Sequence, residues 1–379
     1  MKIIIDENIA FAEEAFSALG NVKLLDGRNL KNKDVNDTDA LIVRSVTDVD
    51  EDLLRNSNIK FVGTATIGTD HIDLDYLLNN NIEFSDAKGC NADSVAEYVF
   101  TALFNIASQQ NISLKGKTIG VVGVGNIGSR VVRIAKVLGL KVLKNDPPLE
   151  RRGTGKNYVS LDDVLKADII TLHVPMIYEG ADLTFHLLNQ NNLKYIKEGT
   201  IIINTSRGAV IDNSSLFEEA NRKDLYLILD VWENEPSINT DLLLKTELAT
   251  PHIAGYSIEG KVNGTKMIYD ALCRYLKVQP TWKPKLPRIE FNKQELPKSS
   301  NEEKRFYNLL SSIYNIENDD EQLRKILNYK PGERAAYFDM LRKKYPLRRE
   351  FGNYTIKISD EEIHLKPFLE SLRFRVEVV

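Results

Sequence analysis

Three side chains in this sequence could together move a hydride and a proton. Arg207 follows the apolar run Ile201-Ile202-Ile203, Glu235 follows Leu227-Ile228-Leu229-Asp230-Val231, and His252 follows Leu248-Ala249-Thr250-Pro251. Taking a hydride from C2 of a 2-hydroxy acid requires the hydroxyl proton to leave. An imidazole titrates near neutrality and can accept that proton, or return it in the reverse direction. A nearby carboxylate orients the ring and stabilises its charged form. A guanidinium can hold a substrate carboxylate by paired hydrogen bonds and polarise the carbonyl as charge develops. Singly, each has a plainer reading: a surface charge, a turn residue before Pro236, a structural histidine. Their shared placement carries the argument, because ligands of open parallel sheets bind beyond the carboxyl ends of the strands. His71, His173, His186 and His364 show no comparable pattern and read as structural, although His173 ends a strand-like run and could line a cleft.

A cofactor site accompanies these residues. Gly123-Val124-Gly125-Asn126-Ile127-Gly128 is a GxGxxG directly after the apolar run Thr118–Val122 and at the start of a helical pattern over Ile127–Leu138. That context is what gives an otherwise weak motif its meaning. Gly123 permits a tight turn, Gly125 lets the backbone approach a pyrophosphate, and Gly128 lets the helix pack closely on the strand. The helix start then offers free N–H groups to phosphates. Asp146 lies about 20 residues on, at the end of the next strand-like run, where a carboxylate can bond ribose hydroxyls and repel a 2′-phosphate. NAD is the expected cofactor. No metal is expected.

The elements that must position these groups alternate along the chain. Ile3–Ile5, Lys23–Leu25, Ala40–Val43 and Phe61–Ala65 read as buried strands, with helical patterns over Phe11–Leu19 and Asp50–Leu54 between them. A long helix is expected over Asn91–Ser108, from the spacing of Val95, Ala96, Val99, Leu103 and Ile106. Further strands are expected at Thr118–Val122, Lys141–Lys144, Asp168–Val174, Thr200–Asn204 and Leu225–Val231. Helices fit between, including Ser160–Lys166, a doubly wound pattern. Gln279–Ser300, with Pro280, Pro284, Pro287 and Pro297, reads as a linker. Beyond it, helices over Glu303–Tyr314 and Ala335–Lys344 and strands over Tyr354–Ile358 and Arg373–Val378 suggest a small α+β domain.

Bulk properties set the frame. The chain has 379 residues, enough for two or three domains, and is 42% hydrophobic and 27% charged. A formal net charge of −4 gives no support to a nucleic-acid or membrane-surface binder. The two cysteines, Cys90 and Cys273, suit neither a metal pair nor a disulfide scaffold, which points to a reducing compartment. The opening run at Ile3–Ile5 is too short for a signal peptide. No stretch approaches the ~20 apolar residues of a membrane span. A cytoplasmic location is the expectation.

Together, Gly123–Gly128, Asn204-Thr205-Ser206-Arg207-Gly208, Asp230-Val231-Trp232-Glu233-Asn234-Glu235-Pro236 and Pro251-His252-Ile253-Ala254-Gly255 resemble the D-isomer-specific 2-hydroxyacid dehydrogenases. The resemblance covers about residues 1–280. It implies an α/β protein with two doubly wound parallel-sheet lobes: a Rossmann cofactor domain, 93–252, inserted in a flavodoxin-like substrate domain, 1–92 and 253–280. A C-terminal domain, 286–379, would serve dimerisation. It implies NAD contacts from Gly125, Asn126, Ile127, Asp146, Ser206, Arg207, Asp230 and Gly255, with a weaker claim for Val174. Substrate contacts would come from Ser45, Thr66 and Tyr256. Gly63–His71, Arg44-Ser45, Asn145-Asp146-Pro147-Pro148, Tyr256 and the extension past about 285 resemble a branch of the family acting on a small phosphorylated hydroxy acid. Such a substrate needs a cation. Arg44 is one candidate, and the basic run Arg342-Lys343-Lys344 with Arg348-Arg349, reaching a neighbouring subunit of a homodimer, is another. The stretch Val174–Glu179 departs from the small polar residues usual in the family. Members acting on glyoxylate, hydroxypyruvate or phosphoglycerate remain alternatives, as does an NAD-sensing, corepressor-like binding protein.

Overall fold

The computed structural model describes residues 1–379, which fall into two compact units: Met1–Asn91 with Tyr256–Arg288, and Ala92–Gly255 with Ile289–Val379.

The first unit is built on five parallel strands: β1 (Lys2–Asp6), β2 (Asn21–Leu25), β3 (Ala40–Val43), β4 (Phe61–Thr64) and β5 (Glu83–Asp86). Their order is β2-β1-β3-β4-β5, the flavodoxin-like arrangement. The central strands carry apolar runs, Ile3–Ile5, Ala40–Val43 and Phe61–Val62, because both faces are covered. Ile3, Ile5, Ala40, Ile42 and Phe61 pack with Ile268, Tyr269 and Leu272 of the helix Ile258–Leu276. Ile4, Leu41, Val43 and Val62, one residue out of phase, pack with Val35, Leu53, Leu54 and Leu77 on the other face. The expected linker is partly anchored here: Trp282 is buried, packs edge-on against Tyr269 and donates from Nε1 to Glu14 at 2.9 Å.

The second unit holds a six-stranded parallel sheet: β6 (Thr118–Val122), β7 (Lys141–Asn145), β8 (Ile169–Leu172), β9 (Ile201–Asn204), β10 (Tyr226–Leu229) and β11 (Leu248–Ala249). The order β11-β10-β9-β8-β6-β7 reverses direction between β6 and β8, beside the glycine loop. That switch point is where open α/β sheets form their ligand crevice.

The C-terminal segment packs within this second unit. It contributes the parallel sheet β12-β13-β14 (Lys293–Glu295, Thr355–Ile358, Arg375–Val378), with β12 drawn from the stretch expected to be a linker. Its helices Glu302–Ile313, Ile316–Arg324 and Pro331–Lys343 do the covering. Leu323, Ile326, Tyr337 and Phe338 share one hydrophobic cluster with Leu227, Leu242 and Ala249. The open edge at β11 is capped by a side chain: Asp320 accepts the Ala249 N–H at 2.7 Å. Arg324 holds the carbonyls of Leu243 and Thr246 at 3.1 and 2.8 Å. The helix Ala92–Gln109 is buried almost all round, more than its expected single apolar stripe. The C-terminal helices supply the second cover, with Phe104 against Phe306 and Phe368 at centroid distances of 5.3 and 5.6 Å. No helix is long and apolar enough to cross a membrane.

Candidate active site

The glycine loop takes the form its residue types require. Gly123 has φ +82, and a Cβ there would crowd the His173 carbonyl at 2.7 Å. A Cβ on Gly128 would fall on the Gly123 carbonyl, so helix and turn touch only through glycine. A Cβ on Gly125 would meet nothing within 4 Å, so the space over this residue, at the start of the helix Asn126–Val137, is open. That opening, with Gly125 and Asn126 exposed and Ile127 half-buried beside it, fits a pyrophosphate on the helix N-terminus. Asp146 stands at the end of β7 and ties the region together. Its carboxylate accepts the Val124 N–H at 2.7 Å and the Leu149 N–H at 3.0 Å, leaving further acceptor capacity for ribose hydroxyls. Val174, just past β8, is half-buried, and its Cγ1 lies 2.9 Å from where a Cβ on Gly123 would sit.

Arg207, Glu235 and His252 follow β9, β10 and β11, at the carboxyl ends of three neighbouring strands. Glu235 and His252 meet: Oε2 lies 2.7 Å from Nδ1. Glu235 Oε1 accepts the Trp232 N–H at 2.8 Å, which fixes the carboxylate. Burial works against the charge of Glu235. His252, Arg342 and the Trp232 amide outweigh it and hold the carboxyl below its ordinary value. With Nδ1 committed to Glu235, the distal Nε2 of the half-buried His252 has no protein partner. Arg207 is half-buried and donates from one terminal nitrogen to the Ser206 carbonyl at 2.8 Å. Its turn is shaped by Asn204, whose Oδ1 accepts from Ser206 N and Oγ and whose Nδ2 donates to the Arg207 carbonyl at 3.0 Å. Gly208 is required next, because a Cβ there would run into the Trp232 backbone.

The His252 loop is built around Asp230. This buried carboxylate accepts Thr250 Oγ1 and Ile253 N at 2.7 Å each and Ala254 N at 3.0 Å, and its backbone carbonyl accepts His252 N at 2.7 Å. Burial raises its pKa; His252, Thr250 and the two amides pull it back, and the net stays above the ordinary value. His252 itself has φ 59, a left-handed backbone that costs a residue with a Cβ about 1–3 kcal/mol and persists only where surroundings enforce it. Gly255 closes the loop.

The other histidines divide. Burial holds His173 neutral, its pKa pushed down to about 3, with ring nitrogens bonded to Thr171 at 2.9 Å and Thr205 at 3.2 Å. His71 Nε2 meets Thr64 Oγ1 at 3.1 Å, and His364 Nδ1 meets the Glu361 carbonyl at 3.0 Å. His186 does have a pattern that sequence reading missed. Its Nε2 lies 2.7 Å from Glu233 Oε1, with Asp212 close enough that the three could in principle ligate a metal. Their atoms are already engaged: Glu233 Oε2 accepts Asn213 N at 3.1 Å, and Asp212 caps the helix Asn213–Arg222 through Ser214 N and Ser215 N. Partners 47 positions apart leave no local signature.

In the first unit, Ser45 is exposed past β3, Thr66 bonds Thr64 at 2.8 Å past β4, and Tyr256 has Lys261 over its ring at 4.5 Å. Arg44 Nε pairs with the buried Asp6 at 3.1 Å. Arg348, expected on a basic run open to a neighbouring subunit, is instead buried within its own chain.

A dinucleotide-type glycine loop and an Arg, Glu, His set at neighbouring strand ends define an NAD-dependent dehydrogenase. Residues 94–254 match the D-isomer specific 2-hydroxyacid dehydrogenase, NAD binding domain, and residues 285–368 match a domain of unknown function (DUF3410). The chain is 44% identical to the erythronate-4-phosphate dehydrogenase of Proteus mirabilis over 94% of each chain. It is 41% identical to that of Hahella chejuensis over 99% of each. Among solved structures it is similar to a D-lactate dehydrogenase from Aquifex aeolicus complexed with NAD and lactic acid, with a TM-score of 0.60 and 28% identity over 73% of this chain and 96% of the other. The chain belongs to the erythronate-4-phosphate dehydrogenases, within the D-isomer-specific 2-hydroxyacid dehydrogenase family.

Proposed function

We propose that this enzyme oxidises 4-phospho-D-erythronate to 2-oxo-3-hydroxy-4-phosphobutanoate with NAD, in pyridoxal phosphate (vitamin B6) biosynthesis. The observation that carries the reading is the Glu235–His252 pair at 2.7 Å, with Nε2 left for a substrate hydroxyl, in a chain so similar to erythronate-4-phosphate dehydrogenases. His252 takes the C2 hydroxyl proton at Nε2 as the C2 hydride departs. Glu235 fixes the ring through Nδ1 and stabilises the imidazolium that forms. Arg207 binds the substrate carboxylate and stabilises charge at the developing carbonyl. NAD supplies the hydride acceptor. Gly125, Asn126 and Ile127 would hold its pyrophosphate and Asp146 its ribose, with Val174, Ser206, Arg207, Asp230 and Gly255 completing the contacts.

In this reading 1–92 with 253–280 form the substrate domain, where Ser45, Thr66 and Tyr256 contact the substrate and Arg44 faces its phosphate. Residues 93–252 form the NAD domain, and 286–379 the dimerisation domain of a cytoplasmic homodimer. The test is the absorbance of reduced nicotinamide with a panel of erythronate 4-phosphate, 3-phosphoglycerate, glycerate and glycolate. Turnover is expected with erythronate 4-phosphate and lost in His252→Ala. Tight NAD binding without turnover of any of them would instead identify an NAD-sensing protein.

A further inference from the structure

The loop carrying His252 is gripped from two sides. Asp230 holds its N–H groups. Its carbonyl at Ala254 is held by Ser94 Oγ at 3.0 Å and by Arg348 at 2.5 Å. Arg348 belongs to the segment matched to a domain of unknown function. It lies buried, its guanidinium carbon 4.3 Å from the centre of the Tyr314 ring, and it also reaches Ser94. The buried carboxylate of Asp319, which accepts the hydroxyls of Tyr314 at 3.0 Å and Tyr345 at 2.7 Å, lies close enough to interact with it electrostatically.

We propose that Arg348 is a positioning residue for the dehydrogenase reaction: by fixing the Ala254 carbonyl it maintains the left-handed backbone at His252 and so aims the imidazole. The Ala254 carbonyl would be satisfied by Ser94 alone, so hydrogen-bond satisfaction does not require a second donor. Burying a cation for fold stability alone is a poor bargain, since packed apolar side chains do that as well or better. What the guanidinium adds is a charge-assisted, directional bond two residues from a backbone that would relax if released. The C-terminal segment thereby acquires a part in catalysis within its own chain.

The inference rests on the reading of His252 as proton acceptor. The experiment compares full-length wild type, Arg348→Met, Arg348→Lys and His252→Ala, each measured for kcat, for NAD affinity by fluorescence titration and for Tm. Expected is a fall in kcat of about 10- to 100-fold in R348M, with NAD affinity within about twofold of wild type. R348K, which keeps the charge and one donor, should fall between the two. An R348M that turns over at the wild-type rate, or that loses NAD affinity in step with kcat, overturns the proposal. If R348M is recovered unfolded, R348K decides: a kcat about 3- to 10-fold down at unchanged NAD affinity upholds the proposal, and wild-type kcat overturns it. H252A separates the two readings. Full turnover in H252A removes His252 from the chemistry, whereas an inactive H252A beside a folded R348M at the wild-type rate removes Arg348 alone.

Discussion

Two histidine–carboxylate pairs lie in the second unit, with partner glutamates two positions apart. Glu235 meets His252 and Glu233 meets His186, each at 2.7 Å. Both histidines have left-handed backbones, with φ 59 and 47. The pairs differ in which nitrogen is committed. His252 gives its proximal Nδ1 to the carboxylate and keeps Nε2, whereas His186 spends Nε2 on Glu233 and stacks its ring on Phe185 at 3.9 Å. Glu233 also exchanges bonds with Asn213, its N–H donating to Asn213 Oδ1 while its carboxylate accepts Asn213 N. One pair leaves its distal ring nitrogen open, as the proposed proton acceptor requires; the other fastens the turn that leads to it. A histidine beside a carboxylate is therefore no marker of catalysis until its free nitrogen is known.

Histidine truncation tests this contrast most severely. His252→Ala should lower kcat by about 10³-fold or more, the scale of losing a general base with its orienting partner. His186→Ala should leave kcat within about fivefold and appear instead as lost stability of about 1–2 kcal/mol in urea unfolding. Equal losses of kcat in the two variants would end the distinction.

The carboxylates give the next effect. Glu235→Gln keeps the shape but removes the charge and allows the wrong ring tautomer, so kcat should fall about 10²-fold or more. Glu233→Gln retains an acceptor for Asn213 N and should change kcat by less than about threefold. Steady-state kinetics on both, with NAD affinity as the control, decides it; a larger effect at Glu233 would reverse the assignments.

Much of this is legible in the amino-acid sequence, and the exceptions have physical causes. Strand ends announced Arg207, Glu235 and His252 because buried parallel strands are unbroken apolar runs whose limits are plain. The glycine loop was legible because three positions tolerate no side chain or need none. Two edge strands were not: β5 is Glu-Phe-Ser-Asp and β12 is Lys-Gln-Glu, short and half-exposed, so neither shows an apolar run. The helix Ile316–Arg324, rich in acids and amides, has few apolar positions to betray it, yet it caps β11. The His186–Glu233 pair and the inward turn of Arg348 depend on contacts across long sequence separations, which spacing along the chain does not encode. A basic run suggested a charged surface, but Arg348 points into a buried polar cluster.

The smallest effect distinguishes the two regions by pH. Asp230 supports the His252 loop, and burial leaves its carboxyl above the ordinary value. Asp212, beside His186, also feels burial, but the Ser215 hydroxyl and amide, His186 and the Ser214 amide carry it below its ordinary 3.8. A carboxyl raised by folding holds its proton more tightly in the native state, so its contribution to stability is lost as pH rises through the folded value. A lowered carboxyl contributes above its unfolded value and loses that contribution as pH falls. The stability gap between wild type and Asp230→Asn should therefore widen as pH is lowered from about 7 to 4, while the gap to Asp212→Asn holds over that range and narrows only below about 4. The absolute gaps differ too. D230N leaves buried amides of the His252 loop poorly paired, at about 1–3 kcal/mol, whereas Asn replaces Asp as a helix cap at little cost. Urea midpoints from about pH 7 to 3 measure both trends, and gaps that moved in the same direction would mean that the two carboxylates do not play opposed electrostatic parts.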